Sequence, residues 1–232
     1  VFDFTPDEIE AIRLSLWVAS IGVAVSIPFG LLAAYALARW HFPGKILLDA
    51  LVHLPLVLPP VVTGYLLLVV MGRRGVIGSF LDQHFGIVFS FRWTGAALAA
   101  AVMGFPLLVR AVRLSFEATD RRLEDAGRML GANRLFVFAT VTLPLALPGV
   151  LAGIVLSFAK ALGEFGATIT FVSNIPGESR TLPAAIYTYT QVPGGDAGAA
   201  RLVVVAIALS IAALIVSEIL ARRISKRFGD LS

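Results

Sequence analysis

The chain has 232 residues, of which 58% are apolar and only 15% charged, and its mean hydropathy is +0.87. Those totals lie far from soluble norms, so lipid is the solvent for most of the chain. Cysteine is absent, which excludes a disulfide framework or a thiolate metal site; His41, His53 and His84 lack ligand spacing, so no metal is expected, and the net charge of +4 says less than where the charges sit.

Thr5, Pro6 and Glu8 predict a helix start in which Thr5 caps, Pro6 takes the first helical position and Glu8 closes a capping box. No basic segment precedes a short apolar core, so no cleavable signal peptide is expected, and a start at Val1 rather than Met suggests missing residues upstream. Residues 12–38 form the first predicted span, longer than the roughly 20 residues a bilayer requires. Trp17 suits one interface, and Tyr35 with Trp40 the other. After a loop at 39–45 with a turn at 42–44, the second span, 46–71, is interrupted by Pro55, Pro59 and Pro60, with Gly64 close behind. Proline donates no backbone hydrogen bond and clashes with the preceding turn. The carbonyls it frees must be satisfied by protein or by water in a cavity. Two readings follow, a kink kept for packing and a lining for a pathway, and the second is favoured.

Residues 72–93 read as a loop of some apolar character, 94–116 as a third span kinked near Pro106, and 142–165 as a fourth with Pro144 and Pro148 at its start. Gly149, Gly153 and Ser157 recur every four residues, a small ridge suited to close helix packing. Residues 163–200 are a long connection rich in Gly, Pro, Thr and Ser, with room to dip back into the membrane. Residues 202–220 are the fifth span, followed by a basic tail. The whole chain, 1–232, is thus expected to be one all-α transmembrane domain.

Between the third and fourth spans lies a charged, helix-forming segment, EATDRRLEDAGRMLGANRLFVFATVTLPLALP at 117–148. Asp120 is placed to cap a helix, Glu124 and Asp125 fall in early turns, and Gly131 is suited to a left-handed C-cap; a second short turn is expected at 133–138. Leu123, Ala126, Gly127 and Leu130 share an apolar, small face, opposite Arg121, Arg122 and Arg128. From these residues alone the segment is either an amphipathic helix resting on the membrane or a docking surface.

Alternate loops hold twelve basic residues: Arg39, Lys45, Arg110, Arg113, Arg121, Arg122, Arg128, Arg134, Arg222, Arg223, Lys226 and Arg227. The opposite side holds six: Arg13, Arg73, Arg74, Arg92, Arg180 and Arg201. The positive-inside rule therefore puts segment 117–148 and the C-terminus in the cytoplasm and the N-terminus outside, with Arg73 and Arg74 as the local objection. Only Lys160 is a charge well within a span, four residues before Glu164 and on the same predicted helix face. It reads either as half of an ion pair near the outer interface or as a source of positive potential for an anion pathway. No membrane-centred carboxylate, internal repeat, phosphate-binding loop or hydrolytic constellation is found, which disfavours a secondary carrier, a channel, an ATPase or an enzyme. A transport subunit driven by a separate motor fits best.

The segment also resembles the E-A-A loop of type I ABC-importer permeases. Asp125-Ala126-Gly127 takes its first place, Gly131 its glycine, Val141 its aliphatic position and Leu143-Pro144 its end, at the family spacing; Asp replaces Glu, with Glu124 beside it, and Gly127 replaces Ala. FPGK at 42–45, LPLVLPPVVTGYLLL at 54–68 and GEFGATITFVSNIPGESRT at 163–181 are similar to the molybdate permeases of the ModB family. The resemblance implies five transmembrane helices of the MetI-like fold with a cytoplasmic coupling loop at 117–141, in a bacterial inner membrane. It implies a homodimer, two ABC ATPase subunits that carry the ATP-Mg, and an external binding protein; this chain itself is expected to hold no cofactor and to bind no nucleic acid. Glu124 or Asp125, with Ala126, Gly127, Leu130, Gly131, Leu143 and Pro144, are the expected coupling residues. Pro55, Pro59, Pro60, Thr63, Lys160, Glu164, Thr168 and Thr170 are candidates for the pathway and its gate, the threonines as hydroxyl donors to a dianion. Sulfate or tungstate is the alternative cargo.

Overall fold

A computed structural model describes residues 3–229. The side chains of residue 217 and of residues from 220 on lie outside the described residues, among them Arg222, Arg223, Lys226 and Arg227 of the charge count. Eleven α-helices and one π-helical turn occupy the described residues, in the order α1 (Pro6–Arg39), α2 (Lys45–Val57), α3 (Pro60–Met71), α4 (Val76–Phe85), α5 (Trp93–Ala118) and α6 (Arg121–Met129), then α7 (Arg134–Val137), the π turn (Phe138–Thr142), α8 (Leu143–Leu162), α9 (Gly166–Val172), α10 (Leu182–Gln191) and α11 (Asp196–Gly229). Among the described residues four long helical stretches are apolar enough to cross a membrane, and a fifth crossing is made if α2 and α3 count as one.

α5 is the central staff, packed on α1 along one side and on α8 along the other. Small residues permit this: a Cβ on Gly22 would meet the Ala97 carbonyl oxygen at 2.8 Å, and one on Gly149 would collide with Ser115. The Gly149, Gly153 and Ser157 ridge therefore faces α5, with Ser157 against Gly104. Without water in the bilayer to drive helices together, such close approach supplies much of the packing attraction. One core cluster joins Val18, Ala19, Ala100, Met103, Ala167 and Phe171, and a second, toward α6, joins Leu37, Leu108, Val112, Phe116, Ala146 and Val150.

The ends of the helices are fixed by polar contacts. Thr5 and Glu8 form the expected capping box, and the Glu8 carboxylate, wholly buried, also accepts two hydrogen bonds from Arg201 at 2.7 and 3.3 Å. Burial alone would push the Glu8 carboxyl upward, but the guanidinium of Arg201 and the Thr5 amide outweigh it and hold it below its ordinary range. Ser15 accepts a hydrogen bond at 2.6 Å from the Leu182 amide, so α1 caps α10 from 167 positions away.

Two regions differ from expectation and a third sharpens it. The second span, expected to be interrupted at its prolines, is broken: α2 and α3 meet at 115°, and Pro55 rides inside α2 while Pro59 and Pro60 make the corner. Pro60 is tolerated at the first position of a new helix, where its amide would have had no partner. Residues 72–93 contain α4, and the connection at 163–200 contains α9 and α10. These short helices satisfy backbone groups that an irregular loop at membrane depth would leave open.

Candidate functional site

α6 begins as its sequence dictates. The Asp120 side chain accepts a hydrogen bond from the Arg122 amide at 2.9 Å, and Asn133 caps α7 on the Phe136 amide at 2.8 Å. Between them Gly131 sits at φ +87°, with the Ala132 amide donating to Gly127 and the Gly131 amide to Arg128. That paired closure is a Schellman motif, and the left-handed residue in it favours glycine.

The two acidic neighbours separate. Glu124 turns inward, where it ion-pairs with Arg39 at 2.8 Å, both side chains almost fully buried, and with Arg128 at 3.6 Å. Arg39 also donates to the Thr119 carbonyl at 2.9 Å, so one guanidinium from the end of α1 holds both the α5–α6 corner and α6 itself. Asp125 is exposed and, among the described residues, reaches only Arg128, at 3.5 Å. Of the two expected contact carboxylates, Glu124 is therefore consumed within the chain because a buried charge needs a partner. Asp125 is the one left outside.

Gly127 is also corrected. Its missing Cβ would lie 3.2 Å from Val137, so it belongs to the seam between α6 and α7 and not to an open face. Helical spacing instead sets Leu123, Ala126 and Leu130 on the outer face. Met129 and Leu130 are 88% and 89% exposed, and Leu135 on α7 is 80% exposed, a high presentation of apolar surface beside charged residues. α7 enters α8 through the π turn, in which the Leu143 amide bonds back to Phe138. Leu143 and Pro144 are then the first two residues of α8, which continues the π turn directly, so the amide that Pro144 lacks is missing at the join of the two helical registers.

The pathway candidates converge elsewhere, where both interrupted spans meet. α3 packs on α9 so closely that a Cβ on Gly64 would strike the Ala167 backbone and one on Gly166 would meet Pro60 at 2.7 Å. α8 stops at Leu162, so Glu164 lies beyond the helix carrying Lys160, in the break before α9. It accepts from Lys160 at 2.7 Å and from the Ala167 amide at 2.9 Å, and is 2% exposed. Lys160 keeps about a third of its side chain exposed. The hydroxyls of Thr168 and Thr170 donate to carbonyls of Phe165 and Gly166, at 2.9 and 2.8 Å, so neither is a free donor as expected. Thr63, buried, has a hydroxyl without a partner among the described residues. At the end of the molecule opposite α6, Arg73, Arg74 and Arg92 line a cavity of about 650 Å³, with Phe91 held at φ +62°. Among the described residues no three His, Asp or Glu side chains gather as a metal site would require.

Residues 26–226 match the family described as the binding-protein-dependent transport system inner membrane component. The chain is 61% identical over 97% of its length, and 98% of the relative's, to the molybdenum transport system permease protein ModB of Escherichia coli. The chain belongs to this permease family, in its ModB branch. A ModB from Haemophilus influenzae is 56% identical, over 96% of this chain and 97% of its own. Among solved structures, the inward-facing MetNI methionine ABC transporter superposes with a TM-score of 0.67 at 15% identity, covering 94% of both chains. The fold of this multi-pass permease is thus that of the type I importers, and its role is transport rather than catalysis. Sequence reasoning missed Arg39, counted only as a loop charge. Its partner lies 85 positions away and no local pattern joins them.

Proposed function

We propose that the permease forms the translocation pathway of an ATP-driven molybdate importer. It works as a homodimer with two cytoplasmic ABC ATPases, which bind the ATP-Mg, and a periplasmic molybdate-binding protein, with its N-terminus outside and its C-terminus in the cytoplasm. The observation that carries this is α6: an outward apolar face at Ala126, Met129 and Leu130, fixed from behind by the buried Arg39–Glu124 pair. A helix that only rested on lipid would not need its rear bolted to two other helices. Asp125 supplies the polar contact to the ATPase.

ATP-driven closure of the ATPases pushes α6. Through Arg39, Thr119 and the π turn the displacement reaches α1, α5 and α8 together, and the corners at Pro59 and Glu164 let α3 and α9 part or close. Lys160 and Thr63 meet the dianion inside, and the arginines of the outer cavity draw it in. That outer role also accounts for Arg73 and Arg74 lying on the side opposite the other cationic loops. Tungstate and sulfate, also tetrahedral dianions, are the competing cargoes.

The test is reconstitution with the ATPase and the molybdate-loaded binding protein. Stimulated ATP hydrolysis with molybdate uptake is expected. No stimulation would remove the assignment, and uptake that sulfate abolishes at equal concentration would change the cargo. Separately, Thr63→Ala and Lys160→Gln should each depress uptake with docking intact. Normal uptake in both would move the pathway away from these residues.

A further inference from the structure

A second cavity, of about 710 Å³, opens between the last three turns of α1 and the inner face of α6 and α7, within the ~300–1,000 Å³ typical of ligand sites. Its two ends differ in chemistry. Pro28, Leu31, Leu32 and Tyr35, at helical spacing along one side of α1, form an apolar wall with Phe138 opposite. Since Pro28 lies eleven residues before Arg39, this wall runs roughly 17 Å along the helix away from the charged end. At the mouth stand Arg39, Arg121, Arg128 and Arg134 with the carboxylates Glu124 and Asp125. Arg39 and Arg128 are taken up by those carboxylates. Among the described residues the Arg121 guanidinium reaches only the Ala38 carbonyl, at 3.4 Å, and the Arg134 guanidinium has no hydrogen-bond or ion-pair partner. The mouth therefore carries two cations without a counter-charge above an apolar slot.

We infer that this cavity holds an anionic phospholipid, its phosphodiester between Arg121 and Arg134 and an acyl chain laid along Pro28, Leu31 and Leu32. Basic pockets between membrane helices at the interface select such headgroups. A free phosphate has no use for the slot, and a zwitterionic lipid brings its own cation to an already cationic mouth. The outer face of α6, with Ala126, Met129 and Leu130, does not line the cavity, while Asp125 stands at the rim between the lipid site and the ATPase face. Bound there, the lipid bridges α6, α7 and α1 alongside the Arg39–Glu124 pair. The inference does not depend on which oxyanion is carried.

Trp40 lines the cavity and is half-exposed, whereas Trp17 and Trp93 pair with each other at 6.1 Å, remote from it. In the full chain carrying W17F and W93F, reconstituted in bilayers, Trp40 reports contact with brominated acyl chains. Brominated phosphatidylglycerol should quench it at a mole fraction on the order of tenfold below that needed by brominated phosphatidylcholine. Arg121→Gln with Arg134→Gln should erase the difference, and Lys at both positions should keep it. Leu32→Phe, which narrows the slot with every charge intact, should also weaken the preference; it serves as the test if the glutamine pair does not fold. Equal quenching by the two lipids, or a preference unaltered in the glutamine pair or in Leu32→Phe, overturns the proposal. So does displacement by the soluble headgroup glycerophosphoglycerol, which would make the cavity a free-phosphate site, or loss of the preference on adding the ATPase, which would make it a protein groove.

Discussion

Arg39 and Glu124 each give the other its reason to be buried, and removing one should be worse than removing both. Arg39→Ala strands a carboxylate that only Arg128, at 3.6 Å, partly answers, and a loss of about 3 kcal/mol in stability is expected. The double variant Arg39→Ala with Glu124→Ala should recover part of that, and a double-mutant cycle in thermal unfolding measures the coupling. Glu8 makes a second residue-scale prediction. Its folded carboxyl titrates below its ordinary range, so its contribution is fully present above the unfolded value near 4.5 and is lost as pH falls through the folded one. Unfolding followed from pH 6 downward should show this loss, and Glu8→Gln should flatten it; an unchanged profile would mean that Arg201 does not favour the charged form. Residues such as Thr5 and Asp120 were legible because a cap and its target lie two or three positions apart. Glu124 against Asp125 was not, because adjacent residues on a helix point about 100° apart and only the packing around them says which side is inside.

At the scale of the helix, α6 is a short element whose closure depends on one backbone conformation. Nothing lies within 4 Å of where a Gly131 Cβ would be, so Gly131→Ala meets no obstacle and should lose only what the left-handed region itself demands, about 1–2 kcal/mol. The expected result is a lower melting temperature and weakened ATPase coupling; a stable variant would mean the chain closes α6 another way. Ala126→Trp separates docking from folding, because Ala126 is exposed. Unchanged melting with loss of binding-protein-stimulated ATP hydrolysis is expected, and intact stimulation would remove the outer face from the interface. The π turn at Phe138–Thr142 had no visible signal beyond Pro144. The broken second span was foreshadowed by its prolines, yet which of the three makes the corner follows from position: Pro55 falls inside a helix, whereas Pro59 and Pro60 fall where one ends and the next begins.

For the whole molecule, the coupling helix and the crossing of α3 on α9 are separate sites, linked by α5 and α8. Gly64→Val should therefore push α3 from the Ala167 backbone and abolish uptake while ATPase binding persists. Loss of both together would instead indicate a fold that depends on that contact. Hydropathy, caps, motif spacing and loop charge were determined by the sequence itself, because lipid solvation, local hydrogen bonds and helical periodicity act over a few residues or a single span. The tertiary structure alone decided that Glu124 is sealed by Arg39, that Glu164 leaves its helix to hold both Lys160 and α9, and that a cavity with an apolar wall and a cationic mouth lies behind α6. Each of these joins groups from separate elements, and in a close-packed interior burial and distance, which no single stretch of sequence carries, determine which charges must pair.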